Sequence, residues 1–331
     1  MSVDIFKMSL LKETKELCRK YNLSPLRRRG QNFLIKEAVI NKIIVASQLS
    51  KEDIVLEIGA GLGTLTKEID KRVKKVYAVE IDEKLIGLLK AELKDYKNIE
   101  IIQGDIRKLQ VTGYKLEDYK LIANLPYNIT SLVIKKFLSA KIKPKLMVIM
   151  LQKEVAERIT ASPPWMSLLA VSFQFYGTAQ IIARVSKKAS WPEPKVDSAI
   201  LRITPSSFLP LSKGEIKRGS LPLSKGEIKR GFSQEHFFRL VRAGFSSKRK
   251  YLLNNLTRCA IINSVRGKFR FIGTAAPVAR TSNGVNKEKL IEIFQKLGLS
   301  PKVRAQELSV EDWIRLVKLI QTIQTSSEHH E

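Results

Sequence analysis

Apolar and polar positions change period along this chain, and the changes mark out its parts. Residues 1–30 open with a short amphipathic helical pattern and end in the basic run Arg27-Arg28-Arg29-Gly30. From about 35 to 205, short β-rich runs alternate with helical patterns. The predicted strands are Asp53–Ile58, Lys75–Ile81, Ile99–Gln103, Tyr119–Asn124, Lys145–Leu151, Ala179–Val185 and Ser198–Thr204. Ile54-Val55-Leu56 and Val148-Ile149-Met150 are apolar throughout, as strands covered on both faces should be. Such alternation predicts a doubly wound α/β sheet.

Beyond 205 the composition shifts. Leu209–Gly219 and Leu221–Gly231 are the same eleven residues, separated only by Ser220. Two copies are too few for a solenoid, and Pro and Gly in each point to a linker insert. Helical periodicity returns at 232–257 and 286–324; the acid-free stretch between them reads as a second loop insertion. The expected division is therefore 1–34 as an N-terminal helix with a basic segment and 35–205 as the main domain. A linker insert at 206–231 follows, then a helical domain over 232–324 interrupted by an insert at 258–285.

Charge changes the picture. With 59 Lys and Arg against 32 Asp and Glu in 331 residues, the formal net charge is +27. A field of that sign attracts polyanions, nucleic acid before an anionic membrane surface. Arg27, Arg28 and Arg29 become candidate nucleic-acid contacts on this ground. Cys18 and Cys259 are the only cysteines, and three His, two of them His329 and His330, give no zinc ligand set. No metal is expected. Asp4, Lys7 and Lys12 interrupt the apolar residues near the N-terminus, unlike a signal peptide. No apolar run reaches the roughly 18 residues of a membrane span. A cytoplasmic protein with no membrane partner is expected, a monomer being the simplest state.

The chemistry concentrates at predicted strand ends. Strand Asp53–Ile58 runs into Gly59-Ala60-Gly61-Leu62-Gly63, and Thr64 opens a helix. Glycines allow a sharp turn and close approach to a ligand. A dinucleotide fingerprint wants its third Gly where this chain has Thr64. Glu57, just before the turn, disfavours a pyrophosphate and suits a cationic sulfonium. Glu80 closes the second strand, where an acid accepts hydrogen bonds from ribose hydroxyls. Asp105, after the third strand, is placed to accept from an adenine amino group. Either acid could instead cap the following helix. Successive acids at strand ends favour an adenosyl ligand, with Gly59, Gly61, Glu80 and Asp105 as its contacts.

Asn124-Leu125-Pro126-Tyr127 ends the fourth strand. An exocyclic adenine amine is a poor nucleophile because its lone pair is delocalised into the ring. Two acceptors aimed at its hydrogens turn that lone pair outward: the Asn124 side-chain oxygen and the backbone carbonyl of Leu125 or Pro126. Pro126 fixes φ, and Tyr127 offers a face for base stacking. The alternative is a plain loop with Pro as breaker and Tyr as packing. No strong base is needed, since the proton becomes acidic only after nitrogen has bonded carbon.

With these motifs in hand, the sequence resembles the KsgA-type small-subunit ribosomal RNA adenine dimethyltransferases. The resemblance runs through nearly the whole chain outside the inserts. It rests on Gly30–Leu34, Leu56–Gly63, Val79-Glu80, Gly104-Asp105, Asn124–Ile129, Gln152–Arg158, Pro194–Ser198 and Arg304–Ser309. It implies a doubly wound class I S-adenosyl-L-methionine-dependent methyltransferase (Rossmann-like) sheet with a small C-terminal α-helical domain. It implies cofactor contacts at Asn32, Leu34, Gly59, Glu80, Asp105 and Asn124. It implies as substrate two adjacent adenosines in a terminal hairpin loop of small-subunit (16S) rRNA, within a pre-30S or 30S particle. Phe245–Lys250 then fits a basic RNA-facing helix start carried by Lys248, Arg249 and Lys250; a solvated helix face is the alternative.

The sequence also departs from the pattern. Ala60 stands where the family usually has Pro, and Ser190 where relatives often carry an aromatic that sandwiches the target base, with Trp191 as a candidate substitute. Ser162–Met166 lacks the expected glycine-and-lysine turn. Competing expectations are a large-subunit rRNA adenine dimethylase of the antibiotic-resistance type and a non-catalytic ribosome-assembly factor.

Overall fold

The computed structural model describes residues 8–25, 31–109, 114, 116–126, 129–206, 234–258 and 287–326. Arg27–Arg29, Tyr127, both repeat copies and the second insert beyond Arg258 lie outside the described residues. Described residues within Met1–Thr160 and Tyr176–Ser207 form one compact unit, and those within Ala161–Phe175 and Phe208–Glu331 a second.

In the first unit, α1 (Leu10–Lys20) precedes β1 (Phe33–Leu34), α2 (Glu37–Ser47) and β2 (Ile54–Ile58). The alternation continues through α3 (Thr64–Asp70), β3 (Lys75–Glu80), α4 (Glu83–Glu92), β4 (Ile99–Gln103) and β5 (Tyr119–Asn124). Then come α5 (Thr130–Leu138), β6 (Leu146–Gln152), α6 (Lys153–Ile159), β7 (Gly177–Val185), β8 (Ser190–Trp191) and β9 (Ser198–Pro205). Seven strands form a sheet in the order β4-β3-β2-β5-β6-β9-β7. Pairings from β4 to β6 are parallel, whereas β9 runs antiparallel to both β6 and β7. This is the doubly wound sheet the periodicity predicts. The apolar runs are buried as expected: Val55, Leu56, Met147 and Ile149 have no exposure. Each such side chain contributes about 1.5–3 kcal/mol relative to an exposed one.

The strand order reverses between β2 and β5, since the chain builds outward from β2 to β4 and returns to start the other half at β5. Ligands bind at such switch points, beyond the carboxyl ends of the strands. Ile58 pairs with Val79 on one side and Ala123 on the other. The glycine turn, Glu80 and Asn124 therefore leave the sheet at one edge.

The second unit holds α7 (Leu168–Gln174), α8 (Gln234–Gly244), α9 (Leu252–Arg258), α10 (Lys287–Lys296) and α11 (Val310–Ser326). Membership of α7 corrects the expected 35–205 domain. Phe175, at the end of α7, stacks on Phe237 of α8 with centroids 4.3 Å apart. The Met166 N–H donates to the Gln306 carbonyl at 3.0 Å. Trp313 of α11 is fully buried, lying over Gly244 where a Cβ would collide with its ring.

Candidate active site

A cleft of about 440 Å³ opens at the switch point, within the range of small-molecule sites. Asn32, Leu34, Gly59, Gly61, Glu80, Asp105, Asn124, Leu125 and Pro126 all line it. Of the cofactor and catalytic candidates, Tyr127 lies outside the described residues.

Gly59 shows why the turn needs glycine. Its φ is +81°, and an added Cβ would lie 2.9 Å from the Asn124 carbonyl oxygen. The Gly59 N–H donates to the Val79 carbonyl at 2.9 Å, so the turn is hooked over the end of β3. Glycine here lets the turn after β2 and the end of β5 touch directly.

Glu80 is 8% exposed. Its Oε2 accepts from the Gly61 N–H at 3.0 Å, and its Oε1 from the N–H groups of Ile81 and Asp82 at 2.8 and 3.0 Å. Burial pushes the carboxyl up from its ordinary value, and the three backbone donors pull it back. A carboxylate offers about four acceptor positions, so roughly one remains for a ligand.

Asp105 carries a partner that its sequence context did not announce. Arg107 Nε lies 2.9 Å from each carboxylate oxygen, and a terminal guanidinium nitrogen lies 2.6 Å from Oδ2. This fork holds the Asp105 carboxyl below the usual carboxylate range. Arg107 also lines the cleft. The loop behind the pair is fastened by Lys136 of α5, whose Nζ donates to the carbonyls of Ile106, Arg107 and Leu109 at 2.6, 3.2 and 2.6 Å. Neither cation figured in the sequence reading; the one available signal was an arginine two residues after a strand-end acid.

Opposite lies the end of β5. Asn124 Nδ2 faces the Asn32 carbonyl at 3.4 Å, an orientation that leaves the side-chain oxygen as the acceptor of the amide, with no partner among the described residues. The Pro126 carbonyl accepts from the Ile129 N–H and the Thr130 hydroxyl, each at 3.2 Å. Its two lone pairs are therefore occupied by the start of α5. Of the two carbonyls offered by the sequence, this leaves that of Leu125.

Asn32 and Leu34 reach the cleft because β1 pairs with β8, setting Phe33 opposite Trp191 and Leu34 opposite Ser190. Ser190 lines the cleft at the position of the expected aromatic, and Trp191 does not line it. Trp191 packs against the core instead, which corrects its reading as a substitute. Phe33 is the aromatic ring on this wall, 3.4 Å from where a Gly61 Cβ would stand.

Glu57 is a second correction. The residue is 1% exposed and absent from the cleft lining, so it does not face a ligand's sulfonium. Burial pushes its carboxyl up to about 7.

Lys248, Arg249 and Lys250 belong to the second unit and are exposed. Buried Asn255 of α9 pins the turn that carries them, donating to the carbonyls of Gly244 and Ser247 at 2.6 and 2.9 Å. Among the described residues no group of three His, Cys, Asp or Glu could hold a metal, and no helix is long and apolar enough to cross a membrane.

Comparison with known proteins gives a consistent result. Residues 26–218 match the family described as Ribosomal RNA adenine dimethylase. The chain is 38% identical over 308 residues to Ribosomal RNA small subunit methyltransferase A of Dehalococcoides mccartyi, covering 92% of this chain and 91% of that protein. Identity is 37% over 314 residues to the protein of the same name in Clostridium botulinum, covering 94% and 99%. Among solved structures, a dimethyladenosine transferase from Plasmodium falciparum superposes with a TM-score of 0.66 at 27% identity, over 86% of this chain and 95% of that one. The 23S rRNA methyltransferase ErmE superposes at 0.62 with 22% identity, over 87% and 99%, and shares the fold.

Proposed function

The chain belongs to the ribosomal RNA adenine dimethylase family, and from that premise we propose how its cleft works and which RNA it serves. Its fold is the doubly wound class I S-adenosyl-L-methionine-dependent methyltransferase fold, and its activity is dimethylation of adenine in ribosomal RNA. The cleft suits the donor: a buried acid at the end of β3, a glycine turn that admits no Cβ at residue 59, and an apolar wall from Phe33. S-adenosyl-L-methionine, when bound, supplies an electrophilic methyl on a sulfonium sulfur.

In this reading Gly59, Gly61, Glu80 and Asp105 hold the donor, with Asn32 and Leu34 closing the side formed by β1. Asn124 Oδ1 and the Leu125 carbonyl accept the two hydrogens of the exocyclic N(6) amine and turn its lone pair out of the ring plane. Pro126 holds that backbone still, and Tyr127 stacks on the base. Most of the acceleration comes from positioning, which can supply roughly 7–11 kcal/mol.

The substrate we propose is a pair of adjacent adenosines in a terminal hairpin loop of small-subunit rRNA, met in a pre-30S or 30S particle by a cytoplasmic monomer. The name shared by the curated relatives, 38% and 37% identical, supports small over large subunit. Arg27–Arg29 and Lys248–Lys250 then hold phosphates, as the net charge of +27 favours.

The observation that carries this reading is the meeting of the glycine turn and Asn124–Pro126 in one cleft. Asn124→Ala tests it. With labelled methyl donor and under-methylated small subunits, transfer should fall by about 10²–10³-fold, the usual loss for one such polar group. Donor and subunit affinities should stay within about threefold, since the bond to Asn32 is long. Mass spectrometry of the rRNA locates the dimethyladenosines, with large subunits as the control. Undiminished turnover would remove the mechanism.

A further inference from the structure

Two motifs from the sequence remain unused by the reaction: the unusual Ser162–Met166 turn and the Arg304–Ser309 segment. In the second unit they meet. Trp165 is 74% exposed, whereas the next residue, Met166, is buried and ties its N–H to the Gln306 carbonyl. Upstream of Gln306 the chain alternates. Val303 and Ala305 are buried, while Lys302 and Arg304 are exposed, with Arg304 in extended backbone. The Val303 carbonyl in turn accepts from the Leu252 N–H at 2.8 Å. Leu252 is fully buried, and Tyr251 before it is 39% exposed, directly after exposed Lys248, Arg249 and Lys250.

Three segments are thus fastened side by side through inner residues, each sending its neighbouring residue outward. Two exposed rings and five exposed cations result, with no acid in 161–175 or 245–258 and with exposed Glu307 three residues beyond Arg304. A single exposed aromatic needs no explanation, but rings interleaved with cations match the way unpaired nucleic acid is held: stacking on the bases, charge on the phosphates. We propose that Trp165, Tyr251, Lys302 and Arg304 extend Lys248–Lys250 into a strip that binds an unpaired segment of ribosomal RNA, with Trp165 as a base-stacking platform. The proposal rests on the rRNA reading above and deepens it.

Full-length protein is titrated with under-methylated small subunits at several salt concentrations. Trp165→Ala should weaken subunit binding about tenfold, whereas Trp165→Phe, which keeps a ring, stays within about twofold. The double variant Lys302→Glu, Arg304→Glu should lower the slope of log K against log salt by about 1.5–2. Donor affinity and Tm serve as folding controls and should not move. Parental affinity in both the alanine and the charge-reversal variants overturns the strip. A loss in Trp165→Phe equal to that in Trp165→Ala overturns stacking. Failure of the rRNA reading itself looks different, since the parent protein would then transfer no methyl to subunit RNA.

Discussion

The two walls of the cleft are built in different ways. On the side we assign to the donor, Glu80 is held by three backbone N–H groups and Asp105 by an arginine fork, so the fold itself fixes both carboxylates. On the target side, the fixed element is the chain itself. The Pro126 carbonyl is locked into the start of α5, and a long bond to the Asn32 carbonyl orients Asn124. Ser190, where the resemblance implies a ring, lines the cleft with a small side chain. The proposed donor wall ties its carboxylates to backbone N–H groups and to Arg107; the proposed target wall keeps acceptors in reserve. That asymmetry suits a site whose donor is constant and whose base must be received, methylated and received again.

Gly59→Ala tests whether the walls are independent. The left-handed backbone costs an L-residue about 1–2 kcal/mol, and the new Cβ would press on the Asn124 carbonyl 2.9 Å away. If the walls are coupled there, donor affinity and kcat both drop, with kcat/KM down about 10²-fold as expected for a small misplacement of reacting groups. Isothermal titration with the donor and steady-state transfer assays separate the two. Loss of donor affinity with kcat intact would show that the target wall stands alone.

Lys136→Met probes the other joint. Lys136 rises from α5, which begins directly after the target loop, yet its ammonium binds carbonyls of the donor loop behind Asp105. Removing it takes a charged donor from three carbonyls, and hydrogen bonds to a charged group are worth about 1.5–3 kcal/mol. Half-exposure reduces that, so the donor Kd should rise about five- to tenfold. At saturating donor, kcat should stay within about twofold, and Lys136→Arg should recover part of the affinity because it keeps cationic donors. Equal losses in kcat and donor affinity would place Lys136 in general folding rather than in the donor loop.

Much of this architecture was legible in the chain. Strands covered on both faces carry long apolar runs, so β2 and β6 could be placed within a residue or so. Glu80, Asp105 and Asn124 stood out because chemistry at strand ends is confined to few residue types. The pair β1 and β8 could not be read, since two-residue strands have no periodicity. That pair decides which way Ser190 and Trp191 face, and the sequence pattern carries no sign of it. The apolar run of α7 shows that it is buried but not against which core. Arg107 and Lys136 were missed for a related reason. Surface cations in turns or on helical patterns are ordinary, and the carbonyls Lys136 meets lie 27 to 30 residues away in sequence.

Glu57 supplies the smallest effect and a sharper view of the donor wall. It sits on β2 beneath the cleft, and burial drives its carboxyl up to about 7, the neighbouring Thr66 hydroxyl pulling it back and the Glu80 charge adding to the rise. In the unfolded chain it would titrate near 4.5. Below that value both states are protonated and ionisation costs the fold nothing. As pH climbs through the window between the two values, the unfolded chain releases its proton first, so the fold loses stability until the buried group also ionises. Glu57→Gln keeps the size and removes the charge. Its Tm advantage over the parent should be small at about pH 5 and reach a few degrees at about pH 8. Differential scanning calorimetry across that range measures it. An advantage that is constant, or largest in acid, would mean that Glu57 stays ionised in the folded protein and that the donor wall carries a second charge beside Glu80 without penalty.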